Sequence, residues 1–500
     1  MFFTLLAATG LVLLAVVVRR IWFHPLSSCP GPWIARFTDF LDLYAIVKGS
    51  RTFRHHDMLL RYGSPVRAGT NHLIFSDLQS WTDIYGPSSN PCLKDPTVYE
   101  GFSVLGNPNL LSTTDRAIHG RLRRLLSHSF SLRGLADSEP LIAEKVQQYV
   151  DRTVAGNRGK EVDMLSRTYE LYLDIVSWLS FGRSFDCLKG QNLTARRDIS
   201  HYFSVVPLVA FVPIARYVPL RGIQEGLAGL NRLIEFASVN VDAFLEKSNY
   251  RSSSSSSGNI VDKTDSSSQE GTLLNNLAKA VDPDTGSKLT REDLIEHSIL
   301  FLAAGSGTTS ATLTFLLWEC GRNEKIRGQL VQEIREAFPD PEVMPNYERA
   351  SQLVYLKCAI SETLRLWGPL NASGPRLSPG KMISGRFVPK GVLVETCTYT
   401  TARDPGVFPN PLTFDPSRWE SPTPEMKKMS RPFSYGPRNC IGQHLAEMAL
   451  TLTVCRLYQL YDVIPTPAMD TDFMRQEDNG VLEPKNKTFY VTPYEADRKR

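Results

Sequence analysis

One ten-residue window, Phe433-Ser434-Tyr435-Gly436-Pro437-Arg438-Asn439-Cys440-Ile441-Gly442, constrains this chain more than any other stretch. Two glycines bracket a cysteine, and helical periodicity follows over 447–460. Glycine backbone lets successive N–H groups turn toward the sulfur, and the N-terminus of the next helix adds positive potential there. Both effects favour a thiolate over a thiol. Arg438, two residues before the cysteine, is placed to bind a carboxylate of a ligand. A lone cysteine in a glycine-rich turn is more often inert, so the weight of this reading depends on the rest of the chain.

The other seven cysteines (Cys29, Cys92, Cys187, Cys320, Cys358, Cys397 and Cys455) form no CxxC pair and no Cys/His cluster with zinc spacing. They read as reduced, mostly buried thiols. Hydrophobic residues make up 42% of the 500 and charged residues 22%, which excludes a chain disordered or collagen-like throughout. A mean hydropathy of −0.19 excludes a polytopic membrane protein. The net charge of +4 comes with no long basic run, so no nucleic-acid partner is expected. At about 150 residues per domain, length alone predicts about three domains.

That average conceals a front end without a charged residue from 1 to 18, followed by Arg19-Arg20 and Trp22. At about 1.5 Å per residue it reaches about 27 Å, enough for a thin bilayer. A cleaved signal peptide is the competing reading, but a basic leading region and a small-x-small cleavage site are missing. Residues 1–20 are therefore expected to be a membrane anchor, with the rest of the chain cytosolic. Residues 21–32, with Pro25, Pro30 and Pro32, read as a proline-rich hinge, and 33–500 as the catalytic domain. The serine-rich stretch 251–271 reads as a surface loop, either a domain boundary or an insertion between two helices. The order of the later motifs favours the insertion.

Helical periodicity marks 143–153, 169–181, 227–245 and 351–367. Thr290-Arg291-Glu292-Asp293 resembles a capping box that opens a long helix through Trp318. Extended pieces fall at 65–75, 382–388 and 392–397, and 405–424 is a proline-rich meander. The expectation is a mainly α fold with a small β subdomain.

The cysteine window resembles the haem-binding loop of the cytochrome P-450 family, F-x-x-G-x-R-x-C-x-G, at every fixed position. Glu362-Thr363-Leu364-Arg365 is similar to the family's E-x-x-R, and Phe414-Asp415-Pro416-Ser417-Arg418-Trp419 to its F-x-P-x-R-W/F, in the family's order. The resemblance implies that fold: one large haem-enclosing domain plus an N-terminal transmembrane helix. It implies that Cys440 is the axial thiolate and metal ligand of haem b, that Phe433 packs beside the sulfur, and that Arg438 pairs with a haem propionate. Glu362, Arg365 and Arg418 would be structural support. His119 and Arg123 resemble the W/H-x-x-x-R pair that binds propionates, and Arg376 another propionate-binding arginine. Arg121 and Arg124 would be a solvated basic face or a docking site for an acidic electron donor. Ala304-Gly305-Ser306-Gly307-Thr308-Thr309 looks like A/G-G-x-D/E-T-T/S, with Thr308 and Thr309 as catalytic residues on the oxygen side. Two glycines inside a helix cost about 1 kcal/mol each, and a local opening for a ligand would explain them. Gly307 departs from the pattern, standing where the family usually has an acid.

The implied function is monooxygenation: O2 and NADPH-derived electrons used to hydroxylate or desaturate a lipophilic substrate. The implied partners are NADPH–cytochrome reductase, cytochrome b5 as a second donor, and membrane lipid. The implied place is the endoplasmic reticulum membrane, single-pass, with the catalytic domain cytosolic. Phe203, Val205, Val206, Leu208, Phe211 and Val212 form an apolar pocket roof or membrane-facing surface, and Asn371 and Ser373 offer polar handles. His24-Pro25-Leu26 and His119 look like fungal microsomal members of secondary metabolism, for which a polyketide mycotoxin intermediate is a candidate substrate. Two other classes compete: a redox-independent haem isomerase or dehydratase, and a membrane haem-binding or sensing protein without turnover.

Overall fold

The computed structural model describes residues 15, 17–157, 159–192, 194–199, 202, 205, 209, 213–254, 272–370 and 374–495, the side chains of 247–254 excepted. Most of the predicted anchor, serines 255–257 and 266–268, and the roof and handle residues Phe203, Val206, Leu208, Phe211, Val212, Asn371 and Ser373 lie outside them. Helix dominates, with small sheets, as the periodicity predicts. Six helices matter for the site: α1 (Arg116–Ser127), α2 (Met164–Phe181), α3 (Arg221–Ser254), α4 (Arg291–Arg322), α5 (Val354–Trp367) and α6 (Gln443–Leu460).

Helix α4 organises the molecule. Thr290 caps it: its hydroxyl accepts the Asp293 N–H at 3.1 Å, and the Asp293 carboxylate accepts the Thr290 N–H at 2.9 Å. This is the predicted capping box. The helix then runs 32 residues with most of its side chains buried on every face. A helix apolar all round belongs in the middle of a core, and α4 packs along α2 there. Among the described residues it is the one helix long and apolar enough to cross a membrane, yet protein buries most of it. The largest apolar cluster joins residues from Leu110 to Val491 around it.

Five short strands, β1 (Val66–Gly69), β2 (His72–Phe75), β3 (Leu93–Lys94), β4 (Arg376–Leu377) and β5 (Leu393–Thr396), form a sheet in the order β1-β2-β5-β4-β3. β2 and β5 run parallel, with His72 opposite Leu393; the other pairs are antiparallel. In that register Lys94 stands opposite Arg376.

Several boundaries move. Helix α2 begins five residues before the predicted start, because Met164, Leu165 and Thr168 continue its buried face. The helix expected over 143–153 is Glu139–Tyr149, followed by a π-helical turn at Val150–Val154. Helix α3 carries on through Ser254, so 251–254 are helical and not part of a loop. Within the stretch 21–32, helix persists to Trp22 before the turns that follow Phe23.

Candidate active site

The cysteine loop is set by its glycines. Gly436 sits at φ 80°, and a Cβ there would lie 2.0 Å from the Tyr85 carbonyl oxygen. Only glycine tolerates both demands. The loop turns through Gly436–Arg438 and closes when the Cys440 N–H donates to the Phe433 carbonyl at 2.9 Å. Gly442 then caps α6, and its N–H points at the Cys440 sulfur. Phe433 is half-buried, and its carbonyl holds the cysteine backbone.

Cys440 is exposed, the only cysteine of the eight that is. Even so, burial by surrounding protein pushes its thiol pKa up, against the Gly442 N–H and Arg123, with Glu447 adding to the rise. The residue therefore lines an interior recess and not the outer surface. The backbone N–H groups and helix terminus expected to favour a thiolate do not decide the matter here. They pull in that direction, but desolvation outweighs them; a bound metal ion is what deprotonates a coordinating thiol outright.

Helix α4 shows a matching irregularity. Ala304 is exposed, and Gly305 and Thr308 are half-buried, in a helix whose residues 294–303 and 309–321 are all buried. Ala304 and Thr308 are four residues apart and share one face. The two flanks of this stripe pack on α2, where a Cβ on Gly305 would meet Val176 at 2.9 Å and one on Gly307 would meet Tyr169 at 3.2 Å. The glycines thus serve close helix packing, and α4 continues without a break; the predicted local opening is absent. The Thr308 hydroxyl donates to the Ala304 carbonyl at 2.6 Å, and Thr309, one residue on, is buried.

A set of basic groups gathers near Arg438. Burial lowers the His119 pKa to about 3, and Arg438, Lys94, Arg123 and Arg376 lower it further by repulsion. The Lys94 pKa falls well below the usual range, by burial and then by Arg376 and Arg438. Among the described residues, no carboxylate forms an ion pair with Lys94, His119, Arg123, Arg376 or Arg438. Lys94 and Arg376 stand opposite each other in the sheet, where a shared anion would favour the charged form of both. The cluster therefore fits a dianionic ligand, and the exposed cysteine fits a metal within the same recess. These are the two ends of a haem.

The placements differ in detail from expectation. Arg376 reaches the Tyr99 hydroxyl at 2.7 Å, and Arg438 donates to the carbonyls of Thr113, Thr114 and Asp115 just before α1. Arg123 points to Asn439, donating to its carbonyl and its side-chain oxygen at 2.6 Å each, so it braces the cysteine loop. Lys94 and Tyr99 escaped the sequence reading. Their signal lies in the pairing of β3 with β4, which no local motif carries. Arg121 and Arg124 stay solvent-accessible and carry ion pairs, Arg121 with Asp282 at 2.9 Å and Arg124 with Asp284 at 2.6 Å. Glu362 behaves as expected. Fully buried, it takes Arg365 at 2.7 Å, Arg418 at 2.9 Å and the Trp419 indole N–H at 2.8 Å.

A family model described as Cytochrome P450 matches residues 89–491. The chain is 29% identical to "Cytochrome P450 monooxygenase ORF9" of Penicillium roqueforti (strain FM164) over 472 residues, covering 92% of this chain and 88% of that protein. It is 28% identical to "Cytochrome P450 monooxygenase BOT4" of Botryotinia fuckeliana, covering 90% and 83% respectively. It is also 28% identical to "Cytochrome P450 monooxygenase BipB" of Cochliobolus sativus, covering 93% and 91%. The family's motif folds here into a recess of the right chemistry, and the likeness extends over most of the chain. The protein therefore belongs to the cytochrome P450 family and is a haem-thiolate monooxygenase.

Proposed function

We propose that this monooxygenase is anchored in the endoplasmic reticulum membrane by residues 1–20, hinged at 21–32, with its catalytic domain cytosolic. It hydroxylates or desaturates a lipophilic secondary metabolite, with electrons from NADPH delivered by NADPH–cytochrome reductase and, as a second donor, cytochrome b5. Polyketide intermediates are the first candidates to test. The observation that carries the reading is the recess itself: an exposed cysteine and a stripe of α4 bared at Ala304 and Thr308, with cations lacking counter-ions nearby.

The residues divide the work. Cys440 Sγ would hold the iron, with the Gly442 N–H directed at the sulfur and Arg123 bracing its loop. Arg376, Arg438, His119 and Lys94 would hold the carboxylates, the two guanidiniums by a charged pairing that strengthens in a site shielded from water. The bound haem supplies the oxygen-activating redox chemistry. Thr308 Oγ1 now spends its proton on the Ala304 carbonyl, and rotation about one bond would offer it to the recess. Membrane attachment is supported by exposed Trp22, Phe23, Trp33, Phe40, Tyr44 and Val47, which follow directly on the uncharged front end. The relatives' names speak for oxidation over a redox-independent isomerase.

The test is to incubate membranes containing the protein and its reductase with candidate metabolites, then identify products by mass. Products heavier by one oxygen or lighter by two hydrogens, formed only with NADPH and O2, support the reading. Conversion that persists anaerobically without NADPH overturns it.

A further inference from the structure

A side chain at position 307 would start out crowded against Tyr169. A Cβ on Gly307 would lie 3.2 Å from the phenolic oxygen of Tyr169, and 3.5 and 3.7 Å from two of its ring carbons. Tyr169 projects from α2 and is buried. Ser306 lies beside it and donates its hydroxyl to the Leu302 carbonyl at 2.8 Å. One turn further along the same seam, the hydroxyls of Thr168 and Ser310 meet at 2.8 Å. On the outer side, the half-buried Arg196 places its guanidinium 5.2 Å from the Tyr169 ring centre and is held by the Ser166 hydroxyl at 2.7 Å. A phenol at 169 and an acid at 307 compete for one niche, and this chain carries the phenol.

We propose that Tyr169 replaces the missing acid: its hydroxyl holds a proton beside Ser306 and fixes the turn of α4 that carries Thr308 and Thr309. Tyr169 is thus a positioning residue that acts on the reaction through α4. The proposal rests on reading Thr308 as facing the oxygen side. Burial pushes the phenol pKa up to about 12, and of the charged groups facing it Glu483 adds to the rise while Arg196, with Ser306, opposes it. At neutral pH the group is a neutral O–H donor where the family usually has an acid.

Monooxygenation takes up two protons and two electrons: RH + O2 + 2e− + 2H+ gives ROH + H2O. Without substrate, O2 leaves either as H2O2, with two electrons and two protons, or as two waters, with four of each. The second route depends more heavily on proton delivery. The experiment therefore needs no known substrate. The full-length holoprotein, in membranes with NADPH–cytochrome reductase, is given NADPH and air, and H2O2 formed per NADPH oxidised is measured.

Tyr169→Phe is expected to raise the peroxide share by about twofold or more. Adding Gly307→Asp in the Tyr169→Phe background is expected to bring it back, since the niche then accepts the acid. A second readout is independent of turnover: Gly307→Ala should raise the melting temperature more in Tyr169→Phe than in the wild type, because its Cβ no longer meets the hydroxyl. If Thr308→Ala raises the peroxide share and Tyr169→Phe does not, the proposal is overturned while the reading of Thr308 stands. If neither moves it, the reading of α4 as the oxygen-side helix fails as well. An equal gain from Gly307→Ala in both backgrounds contradicts the shared niche.

Discussion

Glu362 holds two arginines and an indole with one fully buried carboxylate, so its removal strands two buried cations. Glu362→Gln should destabilise the protein by about 3–5 kcal/mol, read as a lower urea midpoint and a smaller haem content. Lys94 makes the complementary case. If it holds a carboxylate of the cofactor, Lys94→Met should speed haem loss to an apoglobin acceptor by about tenfold or more, while leaving the thiolate spectrum intact. An unchanged loss rate would take Lys94 out of the site. These two residues also mark what a sequence can reveal. Glu362 was legible because its partner Arg365 lies three residues on and Arg418 sits in a second local motif. Lys94 was not, because it meets Arg376 only through pairing of two strands 282 positions apart in register. The partners of Arg121 and Arg124 were hidden for the same reason: Asp282 and Asp284 come from a distant loop.

The helices and the cysteine loop respond to different rules. Helix α4 was readable to the residue at its start, since a capping box is a local code. Its glycines were not, because the reason for them is α2, whose register against α4 no local pattern states. The loop depends on backbone conformation. Gly436→Ala must adopt a left-handed conformation that costs about 1–2 kcal/mol, and must also displace the Tyr85 carbonyl. The expected result is protein that expresses with little haem, measured as the ratio of haem to protein absorbance. Normal haem content would mean that the loop and Tyr85 are less tightly coupled than their contact indicates.

For the whole molecule, buried histidines tie stability to pH. Burial lowers the pKa of His55, against Asp42, and of His119 to about 3. The unfolded chain takes up these protons near pH 6.5 and the folded chain only at lower pH. Each histidine's contribution is therefore fully present above pH 6.5 and is lost as pH falls from there toward the folded value. Glu395, held at about 2 by Arg51, His72 and His55 in spite of burial, adds a loss of the same sign below pH 4.5. Between pH 7.5 and 5, the urea midpoint of the wild type should fall more than that of His55→Gln; an equal fall would show that His55 is protonated in both states. The overall architecture was accessible from motif order and periodicity, whereas the recess depends on contacts between distant elements. The central claim is that Cys440 is the iron's thiolate, and the most direct measurement is the absorption spectrum of the reduced CO complex of Cys440→Ser. The account predicts loss of the thiolate-specific Soret band together with NADPH-dependent turnover, with helical content retained. An unchanged Soret band would contradict it.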